Sequence, residues 1–457
     1  MTPRPEPARP KVIVLDDDPT GSQTVHGCLL LMQWDIETLR IGLADASPIF
    51  FILTNTRALT PEAAAQVTQE VCQNLKTAIA AEGIQDFLVV SRSDSTLRGH
   101  YPIETDAIAE ALGPFDAHFL VPAFFEGGRF TRDSIHYLIV NGVPTPVHQT
   151  EFAKDSVFGY RHSYLPDYVE EKTQGRIKAN TVERFLLKDT RTGTLERLMA
   201  LHHNACGVVD AEQQSDLDRF AQDLLTAAAQ GKRFLFRSAA SLLTALAQLP
   251  PQPVAAEQMA QYVRGGKPGV FIVGSHVQKT TEQLTHLLNQ PSSTSTVTGH
   301  PIGHPIADIE VAVGLLKDPD MYPKLLKATL QAVHAAYQQG KTPVVYTSRQ
   351  ELQFADVETR LAFGVTVSAL LMDIVQGLPA DIGYLVSKGG ITSNDVLSKG
   401  LKLRTARLLG QILPGCSVVR TAPDHPQFPD LPVVLFPGNV GDAAALTTIH
   451  QRFTAHQ

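Results

Sequence analysis

Three consecutive carboxylates, Asp16-Asp17-Asp18, form the chain's densest cluster of like charge. Carboxylates this close repel one another unless a cation or hydroxyl donors compensate them. Such a group can bind Mg²⁺ or substrate hydroxyls, and one member can serve as a general base. A solvated acidic turn with a helix cap would read the same way. A second cluster, Ser91 to His100, brings Arg92, Asp94, Ser95 and Arg98 together. Arginine forks bind carboxylate or phosphate through paired hydrogen bonds. A hydroxy acid needs this mixture: a cation for its carboxylate and polar groups for its hydroxyls. In Glu126-Gly127-Gly128-Arg129 the paired glycines let backbone approach a ligand, although a plain turn would look alike.

The second half offers glycine loops instead. They are Gly274-Ser275, Gly389-Gly390-Ile391-Thr392-Ser393 and Gly438-Asn439-Val440-Gly441. Free backbone N–H groups leading into a helix suit a polyphosphate. The chain has no Walker-type phosphate loop, no GxGxxG after a strand and no GxSxG elbow. His300 and His304 are separated by Pro301 and Gly303 and followed by Pro305, which disfavours a helix, and no metal site is expected there. Cys28, Cys72, Cys206 and Cys416 lack metal-ligand spacing and are expected to be reduced, mostly buried thiols.

These clusters need elements to hold them. Lys11 to Leu15, Ile49 to Leu53, Phe87 to Val90 and Phe119 to Val121 are short apolar runs that read as buried strands. Each ends in a polar cluster, as expected where ligands sit beyond the carboxyl ends of a parallel sheet. Pro61 to Ala81 has helical periodicity, with Thr60 as N-cap and Pro61 at the first helical position. Val208 to Asp210 and Phe234 to Phe236 continue the βαβ rhythm, with a helix between them ending near Gln230. Prolines and glycines between Leu249 and Gly269 mark a boundary. Strands then restart at Val270 to Val273, Pro343 to Tyr346, Tyr384 to Val386 and Val433 to Phe436, with a helix from about Thr280. The stretch from about Gln290 to Asp320 is rich in Ser, Thr, Gly, His and Pro and is expected to be irregular.

The expected architecture is therefore α/β in two domains, each a mainly parallel sheet flanked by helices. The divisions are a disordered tail at 1–10, a first domain at 11–249, a linker at 250–268 and a second domain at 269–457. A chain of 457 residues is too long for one ordinary core. Its net charge of −7 argues against a nucleic-acid partner. No run of about 20 apolar residues is evident, so no membrane span is expected. The Pro/Arg-rich start lacks the apolar core of a signal peptide, and a cytoplasmic location is expected.

Taken together the motifs resemble the four-carbon acid sugar kinase family (DUF1537), which includes 3-oxotetronate, threonate and erythronate kinases. The resemblance runs from about residue 12 to 446. It rests on Asp17-Asp18-Pro19-Thr20-Gly21, Asp94-Ser95-Thr96-Leu97-Arg98-Gly99, Pro122-Ala123-Phe124 with Gly128-Arg129, and Asn141-Gly142-Val143-Pro144. It continues through Thr150-Glu151-Phe152-Ala153, Gly274-Ser275 with Thr280 and Gln283, and the two later glycine loops. Arg92 stands where the family commonly has lysine, and Phe436-Pro437 stand where Lys-Ser is common.

The resemblance implies a first domain that holds a sugar acid and a second that holds ATP with Mg²⁺, the active site lying in the cleft between them. It implies ATP-dependent phosphorylation of a hydroxyl on a tetronate or 3-oxotetronate. Asp17 is the expected catalytic group and Asp18 the second choice. Thr20, Arg92, Asp94, Ser95, Arg98, Gly128 and Arg129 join Asp17 in binding substrate. Gly274, Ser275, Gly389, Gly390, Thr392, Ser393, Gly438, Asn439 and Gly441 are the expected ATP contacts. One rival reading is a non-catalytic sensor of a sugar acid or nucleotide. Another is a hydrolase or aldolase-type enzyme using the aspartates and a metal, which leaves the glycine loops without a role. Whether the chain works as a monomer or a homodimer is left open.

Overall fold

The computed structural model describes residues 9–290, 304–349, 352–354, 356–438 and 440–455. The chain divides into two compact units, Met1–Pro250 and Pro251–Gln457.

The first unit carries strands β1 (Lys11–Asp16), β2 (Leu29–Leu31), β3 (Ile49–Leu53), β4 (Phe87–Arg92), β5 (Ala117–Val121), β6 (Arg129–Arg132), β7 (Ile135–Val140), β8 (Val143–Pro146), β9 (Glu183–Phe185), β10 (Ala205–Val209) and β11 (Phe234–Ser238). Its main sheet runs β2-β3-β1-β4-β11-β5-β10-β9, with every pairing parallel. A parallel sheet is covered on both faces, which is why its strands read as continuous apolar runs. In β3 all five residues are buried. The helix Pro61–Glu82 starts where the sequence places it, with Thr60 accepting from the Ala63 N–H, and ends at Gly83. Its inner face brings Val71, Cys72, Leu75 and Ile79 against Ile13, Phe50, Ile52 and Val89. Leu75→Ala would open a cavity there at a cost of about 2–5 kcal/mol.

A small antiparallel sheet, β6-β7-β8, was not anticipated. Its strands are short and partly exposed, and β8 carries Pro144 and Pro146, which suit only an edge.

The second unit carries β12 (Val270–Val273), β13 (Ile306–Val311), β14 (Thr342–Thr347), β15 (Leu385–Lys388), β16 (Thr405–Leu413), β17 (Cys416–Thr421) and β18 (Pro432–Phe436). Within this unit the order is β13-β14-β12-β15-β18-β17-β16. The first five strands pair in parallel, and β17 and β16 close that side as an antiparallel hairpin. The stretch expected to be irregular needs correction: Ile306–Val311 is an edge strand paired in register with β14. Its outward Asp308 and Glu310 interrupt the apolar signal of a buried strand. His300 lies outside the described residues, while His304 contributes Nε2 to the Gly266 carbonyl.

The helix Val357–Gln376 contains a segment, Thr359–Gln376, that is long and apolar enough to cross a membrane by length and composition. Thr366, Ser368 and Asp373 interrupt its apolar run. Leu370, Leu371, Met372, Ile374 and Val375 in its second half are buried in the protein. All four cysteines are free and buried.

Candidate functional site

Strand β1 lies between β3 and β4, and chain connections leave it in both directions. Ligand sites in open α/β sheets form at such a switch point, beyond the carboxyl ends of the strands. The Asp16-Asp17-Asp18 run leaves β1 there, Arg57 follows β3, Arg92 ends β4, and residues 93–98 follow it.

The three aspartates occupy different environments. Asp16 is fully buried, and burial pushes its carboxyl up to about 7; Arg92 opposes the shift, while Asp17 and Asp18 add to it. Arg92 Nη1 stands 3.3 Å from Asp16 Oδ1. The following turn folds back so tightly that a Cβ on Gly21 would lie 2.1 Å from that oxygen. Asp17 is also buried. Arg57 Nη2 donates to its Oδ1 at 2.8 Å, and the Ser93 hydroxyl donates to its Oδ2 at 2.7 Å. The Asp18 side chain is 23% exposed. Burial would raise its carboxyl, but the Arg57 and Arg92 charges and the Thr20 hydrogen bonds hold it below the usual range. Thr20 donates to Asp18 Oδ1 from its backbone N–H at 2.8 Å and also from its hydroxyl. Arg57 and Arg92 offset part of this like charge, while Asp16 Oδ2 stays buried without a partner. Among the described residues no group of three or more His, Cys, Asp or Glu is placed to hold a metal ion.

A buried relay stands behind Asp17. Thr56 donates to Glu104 at 2.5 Å, and Arg237 reaches Glu104 at 2.5 Å, Ser91 at 2.7 Å and Ser93 at 2.7 Å. Arg237 thereby fills the acceptor side of the Ser93 hydroxyl, whose proton faces Asp17 Oδ2 at 2.7 Å and the Arg98 carbonyl at 2.9 Å. A cavity of about 20 Å³, room for a single water, adjoins Ser93, Asp94, Arg98 and Arg237.

Asp94 accepts from Arg98 Nε at 2.9 Å and from the Thr96 hydroxyl. Burial favours its protonation, yet the Arg57 and Arg98 charges hold it far below the ordinary carboxylate range. Arg98 also lies 3.7 Å from Asp155 and stacks over Phe152. Three successive carbonyls of this loop are fixed from behind. Ser95 O meets His136 Nε2 at 2.8 Å, Thr96 O accepts from Tyr160 at 2.6 Å, and Leu97 O accepts from Tyr168 at 2.9 Å.

The expected substrate arginines therefore divide. Arg92 and Arg98 are engaged by carboxylates of this chain. Arg129 has none within 4 Å among the described residues; it donates to the Gly127 carbonyl and leaves its buried Nε without a partner. Burial depresses its pKa, the signature of a desolvated cation without a close counter-ion. Gly128 forms the left-handed turn before β6, at φ +73°.

In the second unit the three glycine loops converge. The Ser275 N–H donates to Lys388 O at 3.2 Å, and the Gly389 N–H donates to Phe436 O at 2.8 Å. Thr280 bridges Ser275 Oγ at 3.0 Å and Gly438 O at 3.1 Å. Gln283 donates to Val440 O and Asp442 O, both at 2.9 Å. Gly389 has φ +120°, a conformation closed to side-chain-bearing residues without strain. Gly274, Ser275, Gly390 and Gly438 remain partly exposed and Gly441 is exposed, whereas Thr392 is buried. Ser393 is fully buried and pairs with Ser387 Oγ at 2.9 Å, so it braces the loop from within. Asn439 lies outside the described residues.

Lys388 ends β15, directly before the Gly389-Gly390 loop. Its ammonium is buried, donates to Pro437 O at 2.7 Å and sits 3.6 Å from the Phe436 ring centroid. Burial lowers its pKa to about 7.

Arg57, Ser93, Glu104, Arg237 and Tyr160 were not singled out from the sequence. Arg57 and Arg237 had a usable signal: each follows the apolar core of a strand whose end faces the aspartates. Glu104 and Tyr160 had none, because only the tertiary fold brings them near.

Comparison with known proteins fits this two-part arrangement. Residues 12–246 match the family model of a sugar-binding N-terminal domain, and residues 270–446 match that of a nucleotide-binding C-terminal domain. The chain is 26% identical over 401 residues to a D-erythronate kinase of Heliobacterium modesticaldum, covering 83% of each. It is 29% identical over 166 residues, 34% of this chain and 38% of the relative, to a D-threonate kinase of Bordetella bronchiseptica. A solved structure from Salmonella typhimurium LT2, described as a tRNA synthase, superposes with TM-score 0.67 at 19% identity, covering 97% of this chain and 98% of that one. A Haemophilus influenzae structure of the DUF1537 family gives 0.62 at 17% identity, covering 96% of this chain and all of that one. At such identities these likenesses speak for the fold. With both domain models matched in order along nearly the whole chain, this protein belongs to the four-carbon acid sugar kinase family.

Proposed function

We propose that the protein is an ATP-dependent kinase that phosphorylates a hydroxyl of a four-carbon sugar acid, a tetronate or 3-oxotetronate. The observation that carries this reading is the split of charges in the first unit. Asp17 is held by Arg57 and Ser93, while Arg129 keeps a desolvated cation for an incoming carboxylate. A sugar acid presents that pair of groups, a carboxylate and a hydroxyl. The named activities of the erythronate and threonate kinase relatives support the same substrate class.

In this reading Arg129 binds the carboxylate, and Asp94, Ser95, Thr20 and Asp18 supply acceptors and donors for the hydroxyls. Arg92 and Arg98 act by orienting aspartates. Asp17 accepts or orients the proton of the reacting hydroxyl. Each carboxylate oxygen has two lone pairs, so one hydrogen bond to each leaves room for the substrate. Phosphoryl transfer needs little covalent help from protein, and positioning with charge neutralisation supplies most of the rate. The glycine loops of the second unit would cradle the ATP phosphates. Mg²⁺ enters with the nucleotide, where it commonly keeps phosphate and water ligands, and would supply charge neutralisation.

The test is ADP release with MgATP and a panel of D- and L-erythronate, D- and L-threonate and 3-oxotetronates. Turnover with at least one of them, and none with four-carbon polyols lacking the carboxylate, is expected. Binding of an acid without turnover would identify a sensor instead.

A further inference from the structure

We infer that Arg349 is a phosphate-binding residue of the nucleotide site, contacting the polyphosphate of ATP; this rests on the kinase reading above. Arg349 follows β14, the strand beside β12, so it emerges next to the Gly274-Ser275 loop. Its Nη1 donates to the Ser275 carbonyl at 2.7 Å, its Nη2 to Thr347 Oγ1 at 2.8 Å, and its Nε to the Thr347 carbonyl at 3.0 Å. All three acceptors are neutral. Among the described residues Arg349 forms no ion pair with a carboxylate, and burial lowers its pKa against the weaker pull of Tyr346 and Glu310.

Arg349 shares this state with Arg129 and differs from the arginines around the aspartates. Arg57, Arg92 and Arg98 each have a carboxylate within 3.3 Å. A cation that is partly desolvated and not neutralised is costly, and an anion placed against it recovers that cost. The three neutral acceptors fix the plane of the guanidinium, while Nη1 and Nη2 each retain a second N–H. A planar fork with two free N–H groups matches phosphate oxygens. Lys388 cannot take this part, because its ammonium is turned onto Pro437 O and the Phe436 ring. The loops alone offer only neutral N–H donors. Arg349 adds a full charge against Ser275, at the edge of the partly exposed loop cluster.

Calorimetric titration of the full chain with MgATP, and separately with adenosine, tests this. R349Q keeps a donor for the Ser275 carbonyl but removes the charge. It is expected to bind MgATP about tenfold or more weakly, the order of one lost charge-assisted hydrogen bond, with adenosine affinity unchanged. R349K, which keeps the charge without the fork, should fall between R349Q and the parent, and it carries the test alone if R349Q does not fold. Equal loss of MgATP and adenosine, or MgATP affinity equal to the parent in either variant, would overturn the assignment. A parent protein with no MgATP affinity would instead remove the kinase reading on which it rests.

Discussion

Arg57 Nη2 lies 2.8 Å from Asp17 Oδ1 and 3.3 Å from Asp18 Oδ2, and its other terminal nitrogen stands 3.7 Å from Asp94. One arginine thus ties the ends of β1 and β4 together from the end of β3. Its own burial would depress its pKa, but the three carboxylates hold it far above the usual arginine value, and it stays charged. The fixed cation keeps Asp17 oriented, so the geometry at Asp17 depends on a residue of the turn that follows a different strand.

Asp17→Asn should lower kcat about 100-fold or more, the usual scale for losing a positioned acid–base group, with little change in KM for ATP. Asp18→Asn, at the more exposed position, should act mainly on KM for the acid. Steady-state kinetics of the two variants separates the roles, and full turnover by the Asp17 variant would exclude it as the acceptor of the proton.

Arg129→Met should raise KM for the acid by about 10- to 100-fold, as expected for a charge-assisted hydrogen bond, while leaving the melting temperature nearly unchanged. Arg57→Met should lower the melting temperature as well as raise that KM, since Arg57 also holds Asp18 and Asp94. It takes the nearer cation from buried Asp17, leaving only Arg92 at 3.7 Å, and breaking a buried pair typically costs about 3–5 kcal/mol of stability. Thermal melts of both proteins beside their KM values check the contrast.

Tyr160→Phe keeps the ring and removes the donor to Thr96 O. The stranded carbonyl should cost about 1–3 kcal/mol, read as a lower denaturant midpoint. Because Thr96 hydrogen-bonds Asp94, the acid's KM should rise while ATP affinity stays constant.

Lys388 sets a pH dependence of stability. Its folded pKa of about 7 lies below the ordinary 10.5. Between those values the unfolded state holds a proton that the folded state has released, so stability rises with pH across the window and is lost as pH falls through about 7. In Lys388→Met that rise should disappear. Melting temperatures of parent and variant from about pH 6 to about pH 10 would show the parent gaining on the variant as pH increases.

The strand ends were legible because buried parallel strands leave unbroken apolar runs, as in Ile49–Leu53, and the polar residues after them stand out. The pairing of charges was not legible. Arg92, Arg98 and Arg129 look alike in sequence, and only the fold shows that Asp16 and Asp94 take the first two and leave the third. The strands β8 and β13 escaped for a related reason, since edge strands with outward polar or proline residues lack the buried signal. His136 and Tyr168 were equally hidden: each touches the 95–97 loop from a distant part of the chain.

The central claim is the transfer of a phosphoryl group from ATP to a sugar acid. Mass spectrometry of the acid panel after incubation with MgATP tests it most directly. The account predicts a four-carbon acid bearing one added phosphoryl group, formed in step with ADP, by the parent protein and about 100-fold more slowly by Asp17→Asn. Binding of a four-carbon acid and of MgATP together, with neither ADP nor a phosphorylated acid appearing, would contradict it.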